Sequence, residues 1–506
     1  MIDRSFSRRR ATSAGLLALA VGLGGCTLGP DPERPITVVD GDEGFIHAAE
    51  PPASNSDLQT EIGAWWRRLG DPVVEQWVDE AVKGNTDLQA AAARVLEAQA
   101  QARQSRATRL PEVSAGASAN RSKSSFNLPQ QGRVAVYATT YSADLSVAYQ
   151  LDLFGKLRRT RQSAWAQLLA EEEARRTVLH TVISEVVRGR VRTSTLERAL
   201  GLAEGVRDSR AETLASVERR YRAGLTTALD LRLARENLAG AEADRIQARE
   251  ALDRAYLTVD VLLGRRPGHG TRPDGPVAEL PSPEPVPLGL PAELLDRRPD
   301  LRRAEMQLAA ATAGVGASMA DLFPSLSLTG SVGSRSDTLS DLVSSDALVY
   351  NALANLLGPI FDGGRRRAAV DAAEARVEQA TAAYSGAVLG ALREVEDALL
   401  REEAGRERVE LLQQRLEEAQ AADRMARERY RRGVAPLLQV LETERRLKGA
   451  ENALNNVRSE LWNARIDLHL ALGGDWEGSL ADTTPKDTDN KSSTKEDNDD
   501  ATQEIP

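Results

Sequence analysis

The sequence predicts a mainly α-helical chain, internally duplicated, in which short membrane-type β-strands feed very long helical hairpins. Three observations carry this. First, between Tyr141 and Leu153 the apolar residues Tyr141, Ala143, Leu145, Val147, Tyr149, Leu151 and Leu153 take every second place, with Ser142, Asp144, Ser146, Gln150 and Asp152 between them; that is a strand with one oily and one wet face. Second, from Lys156 to Tyr221 runs a charged stretch without proline and with apolar residues at steps of three and four, a helix about 100 Å long at 1.5 Å per residue. Third, the whole pattern occurs twice.

Composition agrees with long helices of narrow contact. The 506 residues are 28% charged and only 4% aromatic, too few large side chains for broad packed cores. A net charge of -10 gives no sign of nucleic-acid binding. Cys26 is the only cysteine, which excludes internal disulfides and cysteine-based metal sites. Arg4, Arg8, Arg9 and Arg10 precede the apolar run Ala14 to Leu23, and Leu23-Gly24-Gly25-Cys26 closes it. A basic start, a short apolar core and small residues at the end make a secretory signal over 1–25; the apolar run is too short to span a bilayer. The Leu-Gly-Gly-Cys ending resembles a bacterial lipobox, which makes Cys26 the lipidated first residue of the mature chain, the only covalent group expected. Several acyl chains there would anchor it stably, and Thr27 in place of Asp favours passage to the outer membrane.

An extended arm rich in Pro, Asp, Glu and Gly is expected over 26–56. The first repeat spans 57–264: Trp65 and Trp66 anchor the arm against the body, a helix runs from Thr86 to Leu110, strands follow at about 112–120 and 138–153, and long helices occupy about 156–222 and 227–263. A polar, Ser-rich stretch up to Tyr137 reads as the loop between the strands. A proline-rich connector covers 265–297. The second repeat, 298–473, has strands at about 324–333 and 347–357 and long helices at about 364–432 and 436–471. Within its first long helix Val370, Val377, Tyr384, Ala391 and Ala398 recur every seventh residue, with Ala373, Ala380 and Ala387 between, a coiled-coil-like seam of small residues. An acidic, low-complexity tail closes the chain over 474–506.

The duplication is legible residue by residue. Asp87-Leu88 and Leu110-Pro111 lie 213 residues before Asp300-Leu301 and Phe323-Pro324; Phe154 lies 207 before Phe361; Tyr221-Arg222-Ala223-Gly224 lies 209 before Tyr430-Arg431-Arg432-Gly433. Four strands of about ten residues have the length to cross an outer membrane but cannot close a barrel, and open edges are not tolerated in lipid. Oligomerisation follows: a dimer gives eight strands and a trimer twelve, and periodicity does not choose. Phe154, Phe323 and Phe361 sit where strand meets helix, the place of an aromatic girdle or of ordinary junction packing.

Several stretches resemble the outer-membrane factors of tripartite exporters, the TolC-like group, and most closely its lipoprotein branch serving resistance-nodulation-division (RND) multidrug efflux pumps. They are Leu151-Asp152-Leu153-Phe154-Gly155-Lys156-Leu157-Arg158, Gly289-Leu290-Pro291, Arg297-Arg298-Pro299-Asp300-Leu301-Arg302, Phe323-Pro324-Ser325-Leu326-Ser327-Leu328-Thr329-Gly330 and Asp362-Gly363-Gly364-Arg365. The resemblance implies a homotrimer with a twelve-stranded outer-membrane barrel, a helical periplasmic tunnel, a periplasmic adaptor (membrane fusion protein) and an inner-membrane RND-type pump. It places Gly224 and Gly433 at the periplasmic end, where adaptor hairpins dock. Tyr430 and Asp230 match a latch that holds this end closed. Ala435 stands where the family's latch arginine belongs, with Arg431 or Arg432 as substitutes. Glu442 matches a position of pore-facing acids, although a solvated surface charge is its plainer reading.

The implied activity is passive conduction of drugs or other toxic small molecules from pump and adaptor to the outside. Other readings are a protein-secretion duct and a structural coiled-coil lipoprotein. Catalysis has no foothold: His47, His180, His269 and His469 are scattered, without metal-ligand spacing, nucleophile elbow or phosphate loop.

Overall fold

The computed structural model describes residues 27–35, 44–47, 64–128, 132–270, 272–273, 283, 286, 293–473 and 476. The signal segment, Cys26, most of the arm and connector, and the acidic tail from 477 onward therefore lie outside the described residues.

After a 3-10 turn at Trp65–Leu69 come α1 (Pro72–Gly84), α2 (Thr86–Ala107), β1 (Glu112–Leu128), β2 (Gly132–Leu151), α3 (Lys156–Arg222) and α4 (Ala228–Leu262). The second half repeats this with a short α5 (Leu294–Arg297), then α6 (Pro299–Ala320), β3 (Ser325–Ser336), β4 (Leu348–Leu357), α7 (Arg365–Arg431) and α8 (Leu437–Leu472). Both α3 and α7 have 67 residues, about 100 Å each. No described helix is long and apolar enough to cross a membrane.

The strands form one antiparallel sheet in the order β1-β2-β3-β4. Here the structure departs from the sequence reading. The Ser-rich stretch up to Tyr137, expected as a loop, is strand over its described residues: β1 and β2 stay paired from Glu112↔Ala148 to Leu128↔Gly132, while β3 leaves β2 at Tyr141↔Ser336. The outer half of the β1–β2 hairpin thus projects beyond the sheet as a two-stranded ribbon. Its residues do not alternate in polarity, so the pattern that reveals a half-buried strand was missing there; the paired backbone holds it, with Lys123 lying over the Tyr137 ring across the two strands.

The two 67-residue helices each follow a strand, α3 from Lys156 after β2 ends at Leu151 and α7 from Arg365 after β4 ends at Leu357. The N-cap Gly155 has no side chain, and Asp152 does the capping instead: its carboxylate accepts from the backbone N–H of Leu157 at 3.0 Å and of Arg158 at 2.9 Å. An anion at a helix N-terminus is favourable because the first N–H groups there lack partners.

The long helices bury little, as their composition requires, but the expected seam is present: Ala373, Tyr384, Ala391 and Ala398 are buried along α7. The main core lies mid-length, where the shorter elements wrap the hairpins. Trp65 and Trp66 are fully buried there, and so is Trp476. Trp476 corrects the reading of the tail, because this residue of the stretch expected as tail belongs to the core; its indole stacks on His180 at 4.2 Å. The paired tryptophans accordingly pack into the body: Trp65 stacks on His469, with centroids 4.6 Å apart.

Burial holds His469 well below the ordinary histidine range, helped by the nearby charges of Arg465 and Arg68. The folded state keeps this imidazole neutral, whereas the unfolded chain takes up a proton below about pH 6.5. Stability should therefore fall as pH drops below that value, by about 1.4 kcal/mol for each unit until the folded group titrates. Helix melting followed by circular dichroism in detergent between pH 7 and 5 measures this. The slope should flatten in His469→Leu, and an unchanged slope would mean that other groups govern acid lability.

Candidate functional site

Two regions stand out, the tips of the long hairpins and the sheet. At the first tip α3 ends in a Schellman turn: the Leu225 N–H donates to Arg220 O at 2.8 Å, and Gly224, at φ 71°, makes the reversal. At the second tip the Val434 N–H donates to Arg429 O at 3.0 Å, with Gly433 at φ 78°. A side chain at either φ is strained by roughly 1–2 kcal/mol. Leu225 and Val434 follow these glycines and project their side chains into solvent.

Asp230 closes a capping box on α4, its carboxylate accepting from the Thr226 hydroxyl at 2.7 Å, the Thr227 hydroxyl at 2.8 Å and the Thr227 N–H at 3.2 Å. The Thr226 bond foremost holds its pKa below the usual carboxylate range. Tyr430 is not bonded to Asp230. It packs with Val217, Ala234 and Leu437 in a small cluster that joins the two hairpins. The group that links the two is Arg220, whose guanidinium lies 4.9 Å from the Tyr430 ring centroid, donates to Tyr430 O at 3.3 Å and acts electrostatically on Asp230.

The arginine at this tip thus comes from the first repeat. Arg431 and Arg432 both pair with Glu428 on their own helix, at 3.2 and 2.7 Å. Sequence reasoning missed Arg220 because nothing distinguishes it from its neighbours Arg219 and Arg222 until the hairpins pack together.

Glu442 lies on the exposed side of α8, where Arg445 at 2.9 Å and Arg446 at 2.8 Å hold its pKa down to about 2. One carboxylate beside two guanidiniums leaves no net negative charge there, which weakens the carboxylate-ring idea. A second polar group, also missed, ties α3, α7 and α8 further from the tip. Arg427 donates to Asp423 at 2.6 Å and to the Ser209 hydroxyl at 2.9 Å, and the buried Glu444 lies 3.6 Å from Arg427 and 4.0 Å from Arg210. Burial raises the pKa of Glu444.

The sheet presents one continuous apolar face. Across the ladders Val113 faces Val147, Ala115 faces Leu145, Leu145 faces Val332, Tyr149 faces Leu328, Leu326 faces Leu356 and Val332 faces Tyr350. The opposite face carries Ser114 and Ser118, hydroxyl-bonded to Ser146 and Ser142 at 2.8 Å, with Ser327, Thr329 and Asn355. The apolar face is exposed: Tyr350 is 85% and Leu356 66% accessible. Among the described residues no α-helix packs broadly on either face, only the short 3-10 turns at Ser340–Val343 and Ser345–Ala347 touching β2 and β3, and β1 and β4 each leave one edge unpaired. At the root of the sheet Phe154 stacks on Phe323 at 4.8 Å, whereas Phe361 is 91% accessible.

The family profile described as "Outer membrane efflux protein" matches residues 77–265 and 290–474, the two repeats. The chain belongs to that family. It is 32% identical over 471 residues to the outer membrane protein OprJ of Pseudomonas aeruginosa, covering 93% of this chain and 97% of that one. Over 468 residues it is 31% identical to the cation efflux system protein CusC of Escherichia coli, covering 91% and 98%. Among solved structures, the outer-membrane channel OprN superposes with a TM-score of 0.81 at 32% identity, covering 89% of this chain and 100% of that one. The open-state MtrE outer membrane channel of Neisseria gonorrhoeae gives 0.75 at 29% identity, covering 89% and 99%. This outer-membrane efflux protein therefore shares the helical and strand architecture of known channels along nearly its whole described length. Membership also gives the exposed face of its sheet a setting, the outer membrane.

Proposed function

We propose that three copies of this chain form the exit duct of a tripartite efflux system, passively conducting small toxic molecules outward. The observation that carries this is the four-stranded sheet, with one exposed apolar face and two open edges. In lipid such a sheet is viable only when closed, and three copies make a twelve-stranded barrel. The long hairpins then stand beneath it as a periplasmic tunnel. A periplasmic adaptor docks on the Gly224 and Gly433 turns, and an RND-type inner-membrane pump supplies the energy. Acyl chains on Cys26 anchor the mature N-terminus in the same membrane. Arg220, Asp230 and Tyr430 hold the tip. Relatives described as handling cations and toluene resemble this chain to a similar degree, in keeping with a duct whose pump selects the cargo. A structural coiled-coil lipoprotein would leave the sheet without a role.

Gly433→Val tests the docking role. At φ 78° the β-branched side chain strains the turn, while an added Cβ meets nothing nearer than Arg220 at 4.0 Å, so the body of the protein is spared. In cells carrying this chain with its pump and adaptor but no other duct, ethidium should accumulate as it does without the chain. Heat-resistant trimers should persist in the outer membrane. Trimers with unimpaired ethidium export would remove Gly433 from adaptor docking.

A further inference from the structure

The duplication that built this chain also sets how neighbouring copies pair, and the two hairpins of the sheet contain the information. The β1–β2 ladder begins at Glu112↔Ala148 and the β3–β4 ladder at Ser325↔Leu357. The first strands are thus displaced by 213 residues (325 less 112) and the second strands by 209 (357 less 148). The helices leaving the second strands begin at Lys156 and Arg365, again 209 apart, so the displacement holds through the strand-to-helix junction. Within one chain, β2 of the first repeat pairs with β3 of the second. Closing a ring of identical copies leaves one junction to make, β4 of one copy against β1 of the next, which is the same junction with the repeats exchanged.

We infer that β4 of each copy pairs with β1 of the next in the register obtained by carrying the β2–β3 ladder over by these displacements. Leu145↔Val332 becomes Ala354 opposite the neighbouring copy's Ala119, and Val147↔Gly330 becomes Leu356 opposite its Ala117. Asp144↔Gly333 becomes Leu353 opposite its Asn120, and Tyr141↔Ser336 becomes Tyr350 opposite its Lys123. The inference rests on the ring proposed above and adds its register.

The chemistry of the two edges fits. The apolar face stays continuous across the junction, since Leu356 and Ala354 meet Ala117 and Ala119, and a one-residue slip would turn β4's whole apolar set to the wrong side. Tyr350, 85% accessible in the single chain, comes beside Lys123. That ammonium already lies 5.2 Å from the Tyr137 ring centroid, so Lys123 would stand between two tyrosine rings, each able to attract it. A rival register exists: aligning Phe154 with Phe361, 207 residues apart, moves the ladder by two residues and sets Ala354 opposite Ala117. The structure disfavours it, because with the first strands displaced by 213 the hairpin registers Glu112↔Ala148 and Ser325↔Leu357 superpose only at 209, and the helix starts at Lys156 and Arg365 keep that displacement, so Phe361 alone departs from it.

Cysteine pairs in the full-length, membrane-inserted protein distinguish the registers. Directly opposed residues bring their Cβ atoms to about 4.5–5.5 Å and diagonal ones only to about 7–8 Å, while a disulfide needs about 3.5–4.5 Å. Ala354→Cys with Ala119→Cys, and Leu353→Cys with Asn120→Cys, sample both faces of the ladder. On oxidation with copper phenanthroline both should give a covalent ladder up to the trimer. The shifted pairs, Ala354→Cys with Ala117→Cys and Leu353→Cys with Ser118→Cys, should give at least tenfold less. Heat-resistant trimers in which the first two pairs fail to link would overturn the register and leave the ring standing. Lone chains would overturn both.

Discussion

Leu145→Arg is expected to keep this protein out of the outer membrane. Leu145 lies between Ala115 on β1 and Val332 on β3, within the exposed apolar face, so the guanidinium would be presented to hydrocarbon. Near the bilayer midplane that costs roughly 2–4 kcal/mol per chain, and three copies would carry the penalty at once. Its sequence neighbour Ser146 points to the other face and pairs its hydroxyl with Ser114. Ser146→Arg therefore faces a water-filled lumen, and the variant should insert normally and change single-channel conductance. Membrane fractionation and planar-bilayer recording read the two results. Insertion of Leu145→Arg with exclusion of Ser146→Arg would mean that the faces are assigned backwards, and normal insertion of both would remove the sheet from lipid.

Arg465→Ala is expected to cost the most among changes in the helical body, about 3–5 kcal/mol. Arg465 is 4% exposed, and its guanidinium grips the buried Glu402 of α7 in two bonds, the Nε one at 2.9 Å. Removing one partner of such a pair strands the other charge where water cannot reach it. Arg406 also reaches Glu402, at 2.6 Å, and keeps the loss toward the lower end of that range. The double variant Glu402→Leu with Arg465→Met should recover most of the stability, because two apolar groups of similar size need no partners. Helix melting in detergent compares the three proteins. Equal loss in the single and double variants would show that packing volume rather than the stranded charge is responsible.

How much of this was legible beforehand depends on whether a feature leaves a local periodic trace. Both long helices could be delimited from the absence of proline and the position of Gly224 and Gly433, because a helix is made of contacts three and four residues apart. The inner halves of the strands showed through strict alternation. The outer half of the β1–β2 hairpin did not, since a ribbon with no buried face need not alternate, and it read as loop. Trp476 fell into an acidic stretch and looked like tail; only the fold brings it against Trp66 and His180.

At the tips the same division holds. The two turns were legible because positive φ selects glycine, and Asp230 because a Thr-x-x-Asp cap is local. Arg220, Arg427 and Glu444 were not, because the partners that place them lie on other helices, roughly 200 residues away or on the far side of a hairpin. By itself, the amino-acid sequence determined the duplication, the element types and the two-faced strands, all of which rest on neighbours within a few residues. Which charges meet across the hairpins, how far the outer ribbon extends and in what register one repeat lies against the other were decided by tertiary packing, where residues far apart in the chain first come within bonding distance.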